Sequence, residues 1–276
     1  MNIGFIGSGK VGISLARYFK NKNIDIIGFY ELDKNKIEKY NKEFTFFKKI
    51  KEFIENIDII FITVNDDNIK IIREKLEKLG FENKILIHMS GSLPSKEIKI
   101  KKNFAYSIHP MFAFSDDNTQ DIEKATFSIE GDREKIDYLV DFFNKLGNEI
   151  LKIESDKKDI YHLSNVIVSN LVLSLIEIGI NYLGECGIEK NEAKKAIFPL
   201  IENNINNIKV KNIEKAVTGP VERADIITLK KHLKVIKDVD KDLYIRLSSN
   251  LLKLSKLKNV DKDYTELVEI LRSDKK

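Results

Sequence analysis

A single cysteine, Cys186, stands in the 276 residues. One thiol excludes an intrachain disulfide and any zinc site built from several cysteines. In Gly184-Glu185-Cys186-Gly187 it reads as a small buried residue near a helix end. Proline is scarce, with four residues, and 42% of the chain is hydrophobic against 33% charged, the balance of a globular protein with a sizeable core. Charge of one sign is lacking too. Forty-seven basic residues face 43 acidic ones, and the net charge is +4. The densest lysine segments also carry Glu or Asp, a pattern of solvated faces, so no nucleic-acid partner is expected. The most apolar stretch, 166–180, is interrupted by Ser169, Asn170, Ser174 and Glu177 and falls short of the roughly 20 residues a bilayer needs. No leader-like segment precedes the apolar run that starts at Ile3. The expectation is a cytoplasmic protein without a membrane partner.

The length suggests two domains. In the first half strand-like and helix-like segments alternate. Strands are expected over 2–6, 25–30, 58–64, 84–88, 104–108, 126–130 and 149–153; helices are expected over 11–21, 34–42, 49–56, 68–79 and 133–145. The nearly all-apolar run 58–64 suits a strand buried on both faces of a parallel sheet. Repeated β-α-β with short connections means a doubly wound α/β domain. Beyond residue 155 only helical patterns follow: 158–185, 191–208, 221–237, 241–257 and 262–272. The expected division is 1–154, a mostly parallel dinucleotide-binding domain, and 155–276, an all-helical domain.

Gly7-Ser8-Gly9-Lys10-Val11-Gly12 has the G-x-G-x-x-G spacing, directly after a strand and opening a helix. That context turns a weak pattern into a Rossmann fingerprint. The first glycine permits the tight turn, the second lets backbone approach a pyrophosphate, and the third lets helix and sheet pack closely. The helix N-terminus offers its free N–H groups to the phosphates. Glu31, just past the second strand, can accept both hydroxyls of the adenosine ribose and repels a 2′-phosphate, so NAD is expected ahead of NADP; Lys34 and Lys36 nearby could still receive a phosphate. Val64 and Asn65 follow the third strand of the run and should line the cofactor, while Asp67 is expected to cap the helix from Asn68.

Two further strand ends should open toward the nicotinamide. Ser90-Gly91-Ser92 follows one; there Ser90 can bind substrate, orient the nicotinamide amide or serve the turn. His109-Pro110-Met111-Phe112 follows the other; His109 can act as acid or base, or bond a loop carbonyl. The helix from Lys158 is apolar around nearly its whole circumference between Leu163 and Ile180, which predicts a buried central helix. His162, Asn165 and Ser169 nevertheless share one narrow arc, at steps of three and four. A polar stripe on a buried helix must meet a ligand, water or packed partners. Arg223, in Thr218-Gly219-Pro220-Val221-Glu222-Arg223-Ala224-Asp225, is suited to anchor a carboxylate or phosphate, or to pair with Glu222 or Asp225; Pro220 suits a first helical turn. His232 gives no metal site by its spacing, and none is expected.

With these residues in hand, the chain resembles a family of NAD(P)-dependent oxidoreductases with a Rossmann-like domain and a C-terminal helical domain of unknown function. The resemblance rests on the glycine motif, Ser90-Gly91, His109-Pro110, Tyr161-His162 with Ser169-Asn170, and Thr218-Gly219-Pro220 with Arg223 and Asp225. That family is related to pyrroline-5-carboxylate reductases, prephenate dehydrogenases and 3-hydroxyacid dehydrogenases, whose helical domain supplies substrate residues and a dimer contact. The resemblance therefore implies NAD or NADP as cofactor, hydride exchange with a small carbonyl, imine or alcohol, a substrate with an anionic group held by Arg223, and a homodimer. His162 takes the place of the lysine on the long helix of the hydroxyacid dehydrogenases by analogy only. Tyr30-Glu31 replaces the Ser-Arg common in the family after the second strand, which again favours NAD. Two other readings stand beside it: an NAD(H)-binding sensor without turnover, and a prephenate-dehydrogenase-like enzyme.

Overall fold

The computed structural model describes residues 1–117 and 121–273. The chain divides into two compact units, Met1–Leu175 and Ile176–Lys276.

The first unit is built on an eight-stranded sheet of order β3-β2-β1-β4-β5-β6-β7-β8. Its strands are β1 (Ile3–Ile6), β2 (Ile26–Tyr30), β3 (Phe46–Phe47), β4 (Ile59–Ile62), β5 (Ile85–His88), β6 (Phe104–Pro110), β7 (Phe127–Gly131) and β8 (Ile150–Lys152). Strands β1 to β6 are parallel, β7 runs antiparallel to β6, and β8 follows β7. Every strand expected from the sequence is present. The two-residue β3 is an addition too short to leave a period.

Alternation along the strands sorts their side chains to two faces. On one, Phe5 stacks between Phe29 and Phe61, with ring centroids 5.1 and 5.2 Å apart. Helices α1 (Lys10–Asn21) and α5 (Ile136–Leu146) cover that face through Ile13, Phe19, Leu139 and Phe143. On the other face Ile6, Ile60 and Ile62 pack against α3 (Ile50–Glu55) and α4 (Asp66–Glu77). Helix α2 (Lys34–Tyr40) follows β2 and is capped by Asp33, which accepts from Asn35 and Lys36 amides. The strand order reverses between β1 and β4, and in such sheets ligands bind beyond the strand carboxyl ends at that point.

Two local expectations are corrected. Helix α4 starts at Asp66 rather than Asn68, with Asn65 as its N-cap and no side-chain cap, so Asp67 does not cap it. Carboxylates in a first turn already gain from the helix dipole, and Asp66 is engaged elsewhere, as described below. The long helix is two segments, α6 (Lys158–Val168) and α7 (Asn170–Glu185), joined at Ser169. Ser169 Oγ donates to the Asn165 carbonyl at 2.6 Å, a back-bond that bends helices.

This helical stretch is also not the buried central helix that its composition predicts. Leu163, Val168, Leu171 and Leu173 are each more than half exposed, and only Ile180 of α7 is buried. Taken as one 31-residue helix from Ser155 to Glu185, with a mean hydropathy of 1.8 in its most apolar part, it is long and apolar enough to cross a membrane by length and composition.

The second unit takes the end of α7 and continues with α8 (Lys190–Val210), α9 (Ile213–Ala216), α10 (Pro220–Arg223), α11 (Ile226–Val235), α12 (Asp238–Lys258) and α13 (Thr265–Ser273). Its core is Val221, Leu229, Ile245, Leu252, Tyr264, Leu267 and Leu271. The expected helix 221–237 is broken at Ala224, whose φ of 56° is left-handed, and Asp225 restarts it by accepting from Thr228. Pro220 opens α10 as its sequence position implied. Cys186, expected to be buried, is exposed.

Candidate active site

The glycine loop leaves β1 with Gly7 at φ +96°, a value that favours glycine, and the Gly7 amide donates to the Tyr30 carbonyl at 3.0 Å. Gly9 is the N-cap of α1, and no side chain caps that end. A methyl at Gly12 would lie 2.5 Å from both the Gly7 carbonyl oxygen and Thr63 Oγ1, so helix and strand meet there at the closest approach. A methyl at Gly9 would meet nothing nearer than the Thr63 carbonyl at 3.8 Å. The loop thus has free space over its second glycine, beside an uncapped helix end. These residues fit a dinucleotide pyrophosphate, which would lie on Gly9 and the α1 amides.

Beside the loop is a cavity of about 260 Å³ lined by Gly7, Gly9, Glu31, Val64, Asn65 and Asn68 among others. Glu31 is fixed at its rim. One carboxylate oxygen accepts from the Ser8 amide at 2.8 Å and Ser8 Oγ at 2.9 Å; the other accepts from the Leu32 and Asp33 amides. Burial pushes the Glu31 carboxyl upward, but these donors outweigh it and hold it below its ordinary value. It is therefore anionic, with Lys36 Nζ at 3.8 Å.

Basic residues of α1 fasten the segment after β6 to this region. Lys10 Nζ donates to the Ser115 carbonyl at 2.7 Å, and Arg17 Nη1 to the Asp117 carbonyl at 2.8 Å. Val11 is half-buried against the core.

At the ends of β5 and β6 a second set of groups converges. The Ser90-Gly91-Ser92 turn is organised by Ser90 Oγ, which donates to Asp66 at 2.7 Å and accepts from the Ser92 and Leu93 amides. Ser92 Oγ donates to the same carboxylate at 3.0 Å. His88 lies beneath, fully buried. Its Nδ1 accepts from the Ser90 amide and its Nε2 faces the Pro94 carbonyl at 3.2 Å, so a neutral ring satisfies both. Burial pushes this imidazole down to about 4.

Gly91 is the meeting point. A methyl there would lie 2.9 Å from His109 Nε2 and 2.9 Å from His162 Cδ2. His109 Nδ1 is 2.8 Å from the Tyr161 hydroxyl. Burial, then the Lys158 ammonium and His162, push the His109 imidazole down to about 4, against a smaller pull from Asp66. Burial also raises the Tyr161 hydroxyl, which stays protonated at neutral pH. The ring pair opens on a cavity of about 730 Å³ lined by His109, Met111, Phe112, His162, Asn165 and Ser169 among others. Asn165 Nδ2 donates to the Tyr161 carbonyl at 2.9 Å.

Of the residues singled out in the sequence, His109, His162, Asn165 and Ser169 line one cavity, and Ser90 lies in the adjoining turn with its hydroxyl engaged internally. Gly7, Gly9, Glu31, Val64 and Asn65 line the other. Arg223 is exposed at the end of α10 in the second unit, and His232 Nδ1 is 2.9 Å from the Tyr244 hydroxyl in that unit. Three participants were not among the expected site residues. Asp66 organises the serine turn, Tyr161 partners His109, and Lys158 is buried behind both. For two of them a signal was available: Lys158 and Tyr161 share one face of α6 with His162 and Asn165 at steps of three and four.

The family model for the NAD binding domain of 6-phosphogluconate dehydrogenase matches residues 2–153. A second model, a domain of unknown function (DUF2520), matches residues 125–251. No curated protein matches the chain. Among solved structures, protein TM1727 from Thermotoga maritima is 22% identical with a TM-score of 0.75, over 93% of this chain and 99% of that one. A Plasmodium falciparum pyrroline carboxylate reductase with NADP bound is 18% identical with a TM-score of 0.65, over 95% and 98%. An imine reductase from a Pseudomonas species is 13% identical with a TM-score of 0.61, over 93% and 97%. At these identities the likeness is one of fold. Glycine loop, strand order and family match agree: the chain belongs to the NAD binding domain family of 6-phosphogluconate dehydrogenase, followed by a DUF2520 region, and has the fold of an NAD(P)-binding oxidoreductase.

Proposed function

We propose that the protein is an NAD-preferring oxidoreductase acting on a small carbonyl, imine or alcohol, with His109 handling the proton. The observation that carries this reading is the convergence of His109 and His162 on Gly91, at strand ends of the sheet that carries the glycine loop. When bound, the nicotinamide supplies or takes the hydride. The chain's own contribution is proton control. Tyr161 can donate to His109 Nδ1 or accept from it, so Nε2 faces Gly91 as a donor in one tautomer and as an acceptor in the other. As donor it polarises a C=O or C=N group that is receiving hydride. As acceptor it takes the proton of an alcohol that is losing hydride. His162 and Asn165 supply further polar contacts, and Met111 and Phe112 an apolar wall. A sensor without turnover would need the nucleotide cavity but not this second one with its paired histidines. The test is nucleotide oxidation over a panel of carbonyls and cyclic imines. Tight NADH binding with no oxidation across the panel would favour the sensor.

The NAD preference rests on Glu31, whose anionic carboxylate at the rim would meet the adenosine ribose hydroxyls and repel a 2′-phosphate. Glu31→Ala is expected to weaken NADH binding about tenfold, the usual worth of a charge-assisted hydrogen bond, while NADPH binding strengthens. Titrations followed by nucleotide fluorescence check this. A wild-type protein that prefers NADPH would overturn the preference.

We also propose a homodimer, with a second copy covering the exposed apolar side of α6 and α7. A bilayer is a poorer occupant, because the first turns of α6 are committed to the strand ends through Lys158 and Tyr161. The expected mass by light scattering at micromolar concentration is that of two chains, and Leu163→Asp with Leu171→Asp should halve it. A monomeric wild type that sediments with lipid vesicles would overturn the dimer and favour the membrane.

A further inference from the structure

Lys158 is 2% exposed, an uncommon position for an ammonium group. Its Nζ donates to the Ser90 carbonyl at 2.9 Å and to Ser107 Oγ at 2.7 Å, and Ser107 Oγ is 3.1 Å from that same carbonyl. Its Nζ also lies 5.7 Å from the centroid of the Tyr161 ring, the ring that partners His109. Among the described residues no carboxylate pairs with the ammonium. The nearest anionic influences are Glu130 and Asp66, and both carboxylates are held by other donors. Glu130 accepts from the Ser95 amide and from the hydroxyls of Ser95 and Ser155; Asp66 accepts from Ser90 and Ser92. A buried cation bonded only to neutral oxygens is costly, and as a mere core contact it would be replaced by an apolar residue without loss.

We propose that Lys158 is a positioning residue for His109: it clamps the Ser90–Gly91 turn from behind and sets a fixed positive charge beside the Tyr161 ring that partners the imidazole. The proposal deepens the oxidoreductase reading and rests on it for its purpose, but not for its test. The groups facing His109 are Lys158, Tyr161 and His162 from α6 and Asp66 from α4. Asp66 alone favours the protonated ring, and its carboxylate is already shared by two serine hydroxyls. Lys158 is the lasting positive charge of the set. Burial moves its ammonium down to about 8, with Glu130 and Asp66 opposing, so it stays cationic across the range in which an ordinary histidine titrates.

The test is nuclear magnetic resonance titration of the histidine ring signals in the nucleotide-free full chain, comparing wild type, Lys158→Gln and Lys158→Met. The glutamine keeps a donor for the Ser90 carbonyl but removes the charge; the methionine removes both. The His109 midpoint is expected to rise by about one pH unit or more in both variants, as for loss of a neighbouring like charge. The Ser90 and Gly91 amide signals should move strongly only in the methionine variant. If Lys158→Met does not fold, Lys158→Gln still decides the matter through the midpoint. A His109 midpoint unchanged in the glutamine variant would overturn the proposal. Failure of the oxidoreductase reading would appear separately, as absent hydride transfer in the wild type.

Discussion

His109→Asn is expected to lower turnover by roughly 10²–10⁴-fold, the usual contribution of a positioned acid or base, with NADH affinity nearly unchanged. The imidazole meets Gly91 through its Nε2 edge and Tyr161 through Nδ1, and it lines the larger cavity, apart from the one that holds Glu31. Asparagine keeps polarity and approximate size but cannot exchange a proton. The pH profile makes the prediction sharper. The ring is held down at about 4, below its ordinary value, so the neutral form dominates above that pH and is lost only as pH falls toward it. Turnover should therefore show no limb near pH 6.5 attributable to His109. A limb at that pH which vanishes in His109→Asn would mean the ring titrates normally, and the neutral-imidazole role would fail. Tyr161→Phe should give a smaller loss, because it removes only the group that selects the tautomer.

Gly12→Ala and Gly9→Ala should both abolish nucleotide binding, for different reasons that a stability measurement separates. At Gly12 the new methyl would sit 2.5 Å from a backbone carbonyl and from Thr63 Oγ1. Neither is a free side-chain end, since Thr63 Oγ1 donates to the Gly7 carbonyl at 2.7 Å. Helix α1 must shift off the sheet, and a loss of about 1–3 kcal/mol in stability is expected, as for overpacking. At Gly9 there is open space, so the chain should unfold at its normal temperature. The methyl would nevertheless occupy the surface that a pyrophosphate must approach. Thermal unfolding together with fluorescence titration of NADH distinguishes the two. A Gly12→Ala protein that is as stable as wild type and still binds would sink the packing argument.

The doubly wound half was legible because its signals are local. Short, nearly continuous apolar runs, a glycine loop after a strand and short connections each leave marks within ten residues. The antiparallel turn of β7 was not legible, because strand direction is set by a long connection rather than by residue type. The candidate site was read in pieces. His109, His162 and Asn165 stood out as polar residues at strand ends or on an apolar helix. Lys158 did not, because in a chain with 47 basic residues one lysine at the start of a helix reads as solvated. Its burial depends on Ser90 and Ser107, which lie far away in sequence. The exposed side of α6 and α7 was misjudged for a related reason. Hydrophobic composition states that a surface needs covering, but not whether the cover belongs to the same chain.

Gly91 has a bearing on how this sequence can change. Even the smallest side chain at that position would touch two rings at once, one from β6 and one from α6. The His109 ring cannot move aside cheaply, since it is tied to Tyr161. Position 91 therefore constrains positions 109 and 162 together. A lineage that enlarged this residue would first have to surrender one of the two histidines, and the order in which such substitutions can accumulate is set by the geometry of a single turn.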